Sequence, residues 1–221
     1  MRLSIGEILS WLSILAAAAA SLYYAPNLPS RIATHFDIEG RPNGWMDKNS
    51  ALIFGPAMAV GLYILLSVLI YLASSERGEL RLDENSAKMM QTIKGLVVFL
   101  VAAVHIGILW HAVGVLKEPL SSIIVPISLM FAYIGWAITK AKRNWLMGVR
   151  LPWTLVDERA WRVGNLIMGW GLVVCAVLNL TGLFLPKLWF WILTVTLAAA
   201  VSLSVVASYI VYRSGPNATA R

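Results

Sequence analysis

Sulfur and charge are both scarce in this chain. One cysteine, Cys175, among 221 residues excludes an intramolecular disulfide framework and a cysteine-based zinc cluster. Only 13% of residues are Asp, Glu, Lys or Arg, about half of what a soluble domain carries. With 59% hydrophobic residues and a mean hydropathy of +0.73, this excludes a disordered chain, a collagen and a polar-surfaced soluble domain. Histidine is rarer still, at three: His35, His105 and His111. There is no P-loop, no G-x-S-x-G, no His-Glu-x-x-His, no dinucleotide fingerprint and no intramembrane pair of aspartates. Pro56 and Pro126 interrupt hydrophobic runs, with too little symmetry for the repeated broken helices of a transporter. No catalytic residue is identified on these grounds.

Long hydrophobic runs dominate what remains. Crossing the hydrocarbon core takes about 20 apolar residues. Six stretches meet or approach that length: 4–25, 51–74, 95–116, 120–139, 163–185 and 188–212. The first is too long and too free of a cleavage site for a removed signal peptide. Its Ala16–Ala20 run suits a flat helix-packing surface. Lys117-Glu118-Pro119 and Leu185-Pro186-Lys187 are turns short enough to force antiparallel helical pairs. The expected fold is an all-α polytopic membrane protein with six transmembrane helices. Its parts are a first helical pair (1–74), a cytoplasmic linker (75–94), a second pair (95–139), a Trp-rich inner motif (140–162), and a third pair with a short tail (163–221).

Basic residues orient the spans. Thirteen of the 18 Lys and Arg fall on the side of the N-terminus; Arg31, Arg41, Lys48, Lys117 and Lys187 fall on the other. By the positive-inside rule both termini are cytoplasmic, in a multi-pass protein of the plasma (inner) membrane. The net charge of +7 then reflects topology and attraction to membrane lipids, with no direct nucleic-acid binding implied. Tyr23, Tyr24, Trp45, Trp136, Trp145, Trp189, Trp191 and Tyr212 lie near span ends, where amphipathic rings favour the headgroup region. Asn217-Ala218-Thr219 fits a glycosylation triplet but falls on the cytoplasmic side.

Two loops are more than connectors. The outer one, Pro26–Ser50, spans 25 residues and carries hydrophobic and aromatic anchors. Ile32 to Ile38 alternates as a short strand, with Thr34, Phe36 and Ile38 on one face and His35, Asp37 and Glu39 on the other. Gly40-Arg41-Pro42-Asn43-Gly44 is a strong turn signal, giving an ordered loop with a short β-hairpin. Three readings fit the polar face: a solvated hairpin surface, recognition of a cationic peptide or partner, and a divalent metal, with zinc the cofactor to test though none is expected. A lone His-x-Asp-x-Glu falls short of the histidine or cysteine count of a zinc site.

The inner loop, Lys142–Arg162, interleaves Trp145, Trp153 and Trp161 with five basic residues. That composition suits either a lipid-anchoring collar or a partner-binding surface. Pro152 stops regular structure, and Thr154 with Asp157 fits a capping box that starts a helix near Leu155 and runs into the fifth span. Inside the spans, His105 and His111 sit about 120° and about 9 Å apart on one helix, so they cannot share an ion. Each is expected to bond a neighbouring helix, and His111 is near enough the outer end to approach the His35 loop. Asn179 is a candidate interhelical tie, and Glu7 a residue to snorkel or pair with Arg2.

Both unusual loops resemble one family. Leu28-Pro29-Ser30-Arg31-Ile32-Ala33-Thr34-His35-Phe36-Asp37, then Gly40-Arg41-Pro42-Asn43-Gly44-Trp45 and Lys48, is similar to a domain of unknown function found near the N-terminus of many prokaryotic membrane proteins. Asn144-Trp145-Leu146-Met147-Gly148-Val149-Arg150-Leu151-Pro152-Trp153-Thr154-Leu155, with Glu158 and Trp161, resembles the second hallmark of the SdpI family. Departures from the usual pattern are Ala33 for proline, Asp37 for asparagine, Asn43 for aspartate, Leu151 for threonine, and Gly164-Asn165 for Thr-His.

The resemblance implies immunity to a secreted sporulation-delaying peptide toxin, with signalling to a small cytoplasmic helix-turn-helix repressor. It makes His35, Phe36, Asp37 and Trp45 the outer ligand-binding candidates and Arg150, Pro152, Trp153 and Thr154 the inner partner-binding ones. The alternative is a metal-dependent membrane peptidase with His35, Asp37, Glu39 and His111 as metal ligands.

Overall fold

The computed structural model describes residues 4–75 and 80–215. Arg2, Arg77, Arg221 and the Asn217-Ala218-Thr219 triplet lie outside the described residues. Among the described residues six helices are long and apolar enough to cross a membrane. In chain order the elements are α1 (Ile5–Tyr24), strands β1 (Arg31–Phe36) and β2 (Pro42–Asp47), α2 (Lys48–Ser75), α3 (Glu84–Ala112), α4 (Ser121–Lys140), the short α5 (Pro152–Val156), α6 (Glu158–Asn179) and α7 (Pro186–Arg213). Short 3₁₀ turns follow α1 (Ala25–Asn27) and α6 (Leu180–Leu183). Pro56 and Pro126 are accommodated within continuous helices.

The expected spans match these helices with one substantial shift. Helix α3 begins at Glu84, well inside the segment read as a linker. Asp83 caps it, accepting from the N–H groups of Asn85 (3.1 Å) and Ser86 (3.3 Å), and Ser86, Met90, Ile93 and Lys94 then bury one face. The signal was present in Asp83-Glu84-Asn85-Ser86, but the charged residues around it read as loop.

Helices α1, α2 and α3 form one group and α4, α6 and α7 another, joined where α3 packs on α4. Helix α3 is central: 44% of its most apolar window is buried, against 11% for α7, whose face is left to lipid. Backbones approach closely where side chains vanish. A Cβ at Gly6 would strike the Gln91 backbone, and Gly135 and Gly169 stand against each other across α4 and α6. At one end of the bundle a core of Ile70, Leu82, Met90, Ile93, Ile138, Met147 and Leu172 joins both groups; at the other, Leu28, Ile32, Ala51 and Leu109 seat the β-hairpin. These are the motif end and the hairpin end.

Candidate functional site

At the hairpin end, β1 and β2 pair antiparallel with Ile32 opposite Met46, Ala33 opposite Trp45 and His35 opposite Gly44, and the register slips on both sides of His35. Ile32 is only 1% exposed, anchoring the hairpin on the helices, while His35 and Trp45 are exposed. Gly44 makes room for His35: a Cβ there would lie 2.9 Å from the His35 Cβ. The His35 ring nitrogen Nδ1 hydrogen-bonds Asn43 Oδ1 across the hairpin. Lys48 ties the base down, donating from Nζ to the Ala25 carbonyl (3.1 Å).

The strand ends sooner than alternation suggests. Asp37 turns its carboxylate onto the turn, where Oδ1 accepts from the N–H groups of Glu39 and Arg41, both at 2.9 Å. Gly40, at φ 79°, takes the left-handed position that this turn needs. Glu39 forms an ion pair with Arg41. Asp37 and Glu39 therefore do not continue the His35 face. His111 does reach the loop, but its ring meets Phe36 edge-on at 5.2 Å, and its Nδ1 bonds the Leu116 carbonyl (3.0 Å) just beyond its own helix rather than a neighbouring one. Among the described residues no three His, Cys, Asp or Glu side chains gather as metal ligands would. The set His35, Asp37, Glu39 and His111 is dispersed by the turn and by Phe36.

The motif end is held by two buried asparagines. Asn144 Oδ1 accepts from the N–H groups of Leu146 (2.8 Å) and Met147 (2.7 Å), folding the chain back on itself. Asn165, on α6, accepts from the Val149 N–H (2.8 Å) and donates to the Trp161 carbonyl (2.9 Å). Between them Gly148 sits at φ 106°, pressed against Asn165 Oδ1 and the Trp161 ring, with no room for a side chain. Trp161 is fully packed and donates from Nε1 to the Ala141 carbonyl (3.0 Å).

Thr154 acts one turn earlier than a start near Leu155 would require. Pro152 opens α5, and Thr154 Oγ1 accepts from the Leu151 N–H (2.8 Å) while donating to the Val149 carbonyl (2.6 Å). Asp157 then caps a separate helix, α6, accepting from Arg159 (2.8 Å) and Ala160 (3.2 Å). The Arg159 guanidinium and those N–H groups hold its carboxyl below the usual aspartate range, against the opposing pull of burial. Trp153 bonds Ser208 Oγ on α7 (3.0 Å), and the Arg150 guanidinium bonds the Trp145 carbonyl. Of the three tryptophans only Trp145 is exposed, so the segment is a packed motif with one free ring, and a collar of three is not formed.

Residues 12–60, covering most of α1, the hairpin and the start of α2, match the family described as Domain of unknown function (DUF1648). Residues 140–210, the motif with α6 and most of α7, match the SdpI/YfhL protein family. Each of the two unusual loops thus lies within a stretch that matches a known family, and neither match extends over half of the chain. Over 80 residues it is 35% identical to the Immunity protein SdpI of Bacillus subtilis (strain 168), a match covering 36% of this chain and 39% of that relative's length. No solved structure matches it. Asn165, one of the departures from the pattern that the motif resembles, receives the Val149 N–H and so fixes the motif.

Sequence reading missed a buried charge. Lys94, placed in the linker by its sign, is 1% exposed on α3. Its Nζ reaches Glu7 Oε1 (2.5 Å) and Ser67 Oγ (3.0 Å) and lies 4.4 Å from the centre of the Tyr63 ring, while Tyr63 Oη donates to Glu7 Oε2 (2.8 Å). Glu7 therefore has its partner on α3. The signal was the placement of Met90, Ile93, Lys94 and Val98 on one helical face, visible only once α3 starts at Glu84.

Proposed function

We propose that this chain is a membrane immunity protein that protects its cell from a secreted, membrane-active peptide of the sporulation-delaying type. The observation that carries the reading is its 35% identity to Immunity protein SdpI. Two features support it. The hairpin is ordered, docked on α1, α2 and α3 through Leu28 and Ile32, and presents His35 and Trp45 away from the helices. The basic residues favour the hairpin end outside and both termini in the cytoplasm, which sets the hairpin where a secreted peptide arrives. In the same reading, exposed Trp145 and Arg150 at the motif end are the surface offered to a cytoplasmic helix-turn-helix repressor.

The charge of the hairpin limits how it would act. Glu39 is neutralised by Arg41 and Asp37 is committed to its turn, so acidic steering of a cationic peptide is weaker than the sequence suggests. The test is survival of a toxin-sensitive bacterium expressing the protein, against empty vector, across a dose series of synthetic sporulation-delaying peptide. Wild type should shift the lethal dose upward, and His35→Ala at matched expression should remove part of that shift. Survival no better than empty vector would overturn the reading.

A further inference from the structure

Beside the hairpin tip lies a second feature that none of the family motifs covers in full. The tip (Ile38, Glu39, Arg41), the α3–α4 connection and the α6–α7 turn enclose a cleft of about 800 Å³, within the size range of ligand sites. Its walls are apolar, Leu116, Leu120, Leu183 and Phe190 among them, and its floor is Trp189. The floor is built rather than incidental. Trp189 is buried and donates from Nε1 to Asn179 Oδ1 (2.7 Å), and Asn179 Nδ2 in turn donates to Ser128 Oγ (2.8 Å) and the Ile124 carbonyl (3.0 Å). Gly182 lies flat against the Trp189 ring, where a Cβ would collide. Thus α4, α6 and α7 fix one indole at the bottom of the cleft.

The lining identifies the kind of occupant. It goes no deeper than Ile124 on α4 and Trp191 on α7, one to two turns into the helices. At about 5.4 Å per turn that is shallow against the roughly 15 Å of one hydrocarbon leaflet, so an acyl chain would be left mostly outside it. A few bulky apolar side chains of an adsorbed peptide would fill it. The rim carries Lys117, Glu118 and Lys187, for which no ion-pair partner occurs among the described residues, so unspent charge of both signs faces the polar flanks of such a peptide.

We propose that this cleft, between the hairpin tip and the α6–α7 turn, is the binding site for an apolar segment of the secreted peptide. The proposal rests on the immunity reading and assigns its ligand to Trp189 and the walls around it, away from the exposed face of His35.

Binding of dye-labelled synthetic sporulation-delaying peptide to the full chain in nanodiscs of phosphatidylethanolamine and phosphatidylglycerol tests this, with empty nanodiscs as background and cell survival measured in parallel. Leu120→Trp and Leu183→Trp fill the cleft from two sides, and Leu203→Trp adds the same ring to a lipid-facing site. Saturable binding by wild type is expected, weakened about tenfold or more by either cleft variant and unchanged by Leu203→Trp, with thermal unfolding preserved in all three. If wild type protects cells and both cleft variants bind and protect as well as it does, the cleft is overturned and immunity stands. Protection without saturable binding overturns the cleft in the same way. Cleft variants that bind peptide normally but lose co-purifying lipid reassign the cleft to lipid. If wild type neither binds nor protects, both readings fall.

Discussion

The two groups of three helices solve one problem with different chemistry. Lipid gives helices no hydrophobic reason to associate, so small residues and polar ties must hold them. The α1–α3 group uses charge. Lys94 is the buried charged side chain among the described residues, and Glu7, Ser67 and Tyr63 surround it from α1 and α2. Farther along, His105 donates to Ser21 Oγ (2.8 Å), which gives its own proton to the Leu52 carbonyl (2.8 Å), and the ring fits only because Gly55 has no side chain. The α4–α7 group has neutral ties: Asn179 to α4 and Trp189, Ser204 to the Gly164 carbonyl (2.8 Å), Trp153 to Ser208. Loss of one tie should therefore cost the first group much more than the second.

The sharpest way to break that contrast is Lys94→Met. It leaves the partly buried Glu7 facing α3 with no cation, where orphaning a fully buried charge would cost about 3–5 kcal/mol. A large fall in unfolding midpoint in detergent is expected, with most of it restored in the double variant Glu7→Gln/Lys94→Met. A single variant as stable as wild type would show that the pair contributes nothing net and that the glycine contact of α1 with α3 suffices.

Next in size is Gly148→Ala in the other group. The residue has φ 106° and lies against Asn165 and Trp161, so the substitution meets both strain and collision. A cost on the order of 1–3 kcal/mol is expected. Hydrogen exchange should show it as loosening of 140–165, leaving α1 to α3 protected. Smaller again is Asn179→Leu. It removes three bonds, each worth about 0.6 kcal/mol between membrane helices, and strands the Trp189 Nε1–H, for a total near 1–2 kcal/mol. If Asn179→Leu proved as damaging as Lys94→Met, the distinction between charged and neutral ties would fail.

This contrast was only half legible in the sequence. Six apolar runs and the Gly40-Arg41-Pro42-Asn43-Gly44 turn are local signals, and they returned six long helices and a hairpin between the first two. Asn179 could be read as a tie because an amide in the middle of an apolar run has few other uses. Lys94 could not, because a lysine near a span end is ordinarily a topology marker and its partner Glu7 lies 87 positions away. The expected shared face of His35, Asp37 and Glu39 is not formed, for a related reason. Period-two alternation through Ile38 was real as a pattern, but Asp37 satisfies turn N–H groups, and a side chain that caps a turn cannot also extend a strand. The cleft is assembled from three separate connections, and nothing local in any of them announces the others.

The smallest effect tests where the neutral group does depend on charge. Asp157 sits at its surface, capping α6 and paired with Arg159 (2.9 Å). Because the Arg159 guanidinium and backbone N–H groups hold its carboxyl below the ordinary aspartate value, the folded protein takes up this proton less readily than the unfolded chain. The stabilisation is then fully present above the unfolded value, near 3.9, and is lost as pH falls through the lower folded value. Asp157→Ala should cost about 1 kcal/mol at neutral pH, the usual worth of an N-cap. The gap between variant and wild type should close as the solution is taken below about pH 3.9, in unfolding scans run pairwise at each pH. A gap that stayed constant into acid would mean that the cap works through the shape of the Asp157 turn and not through its charge.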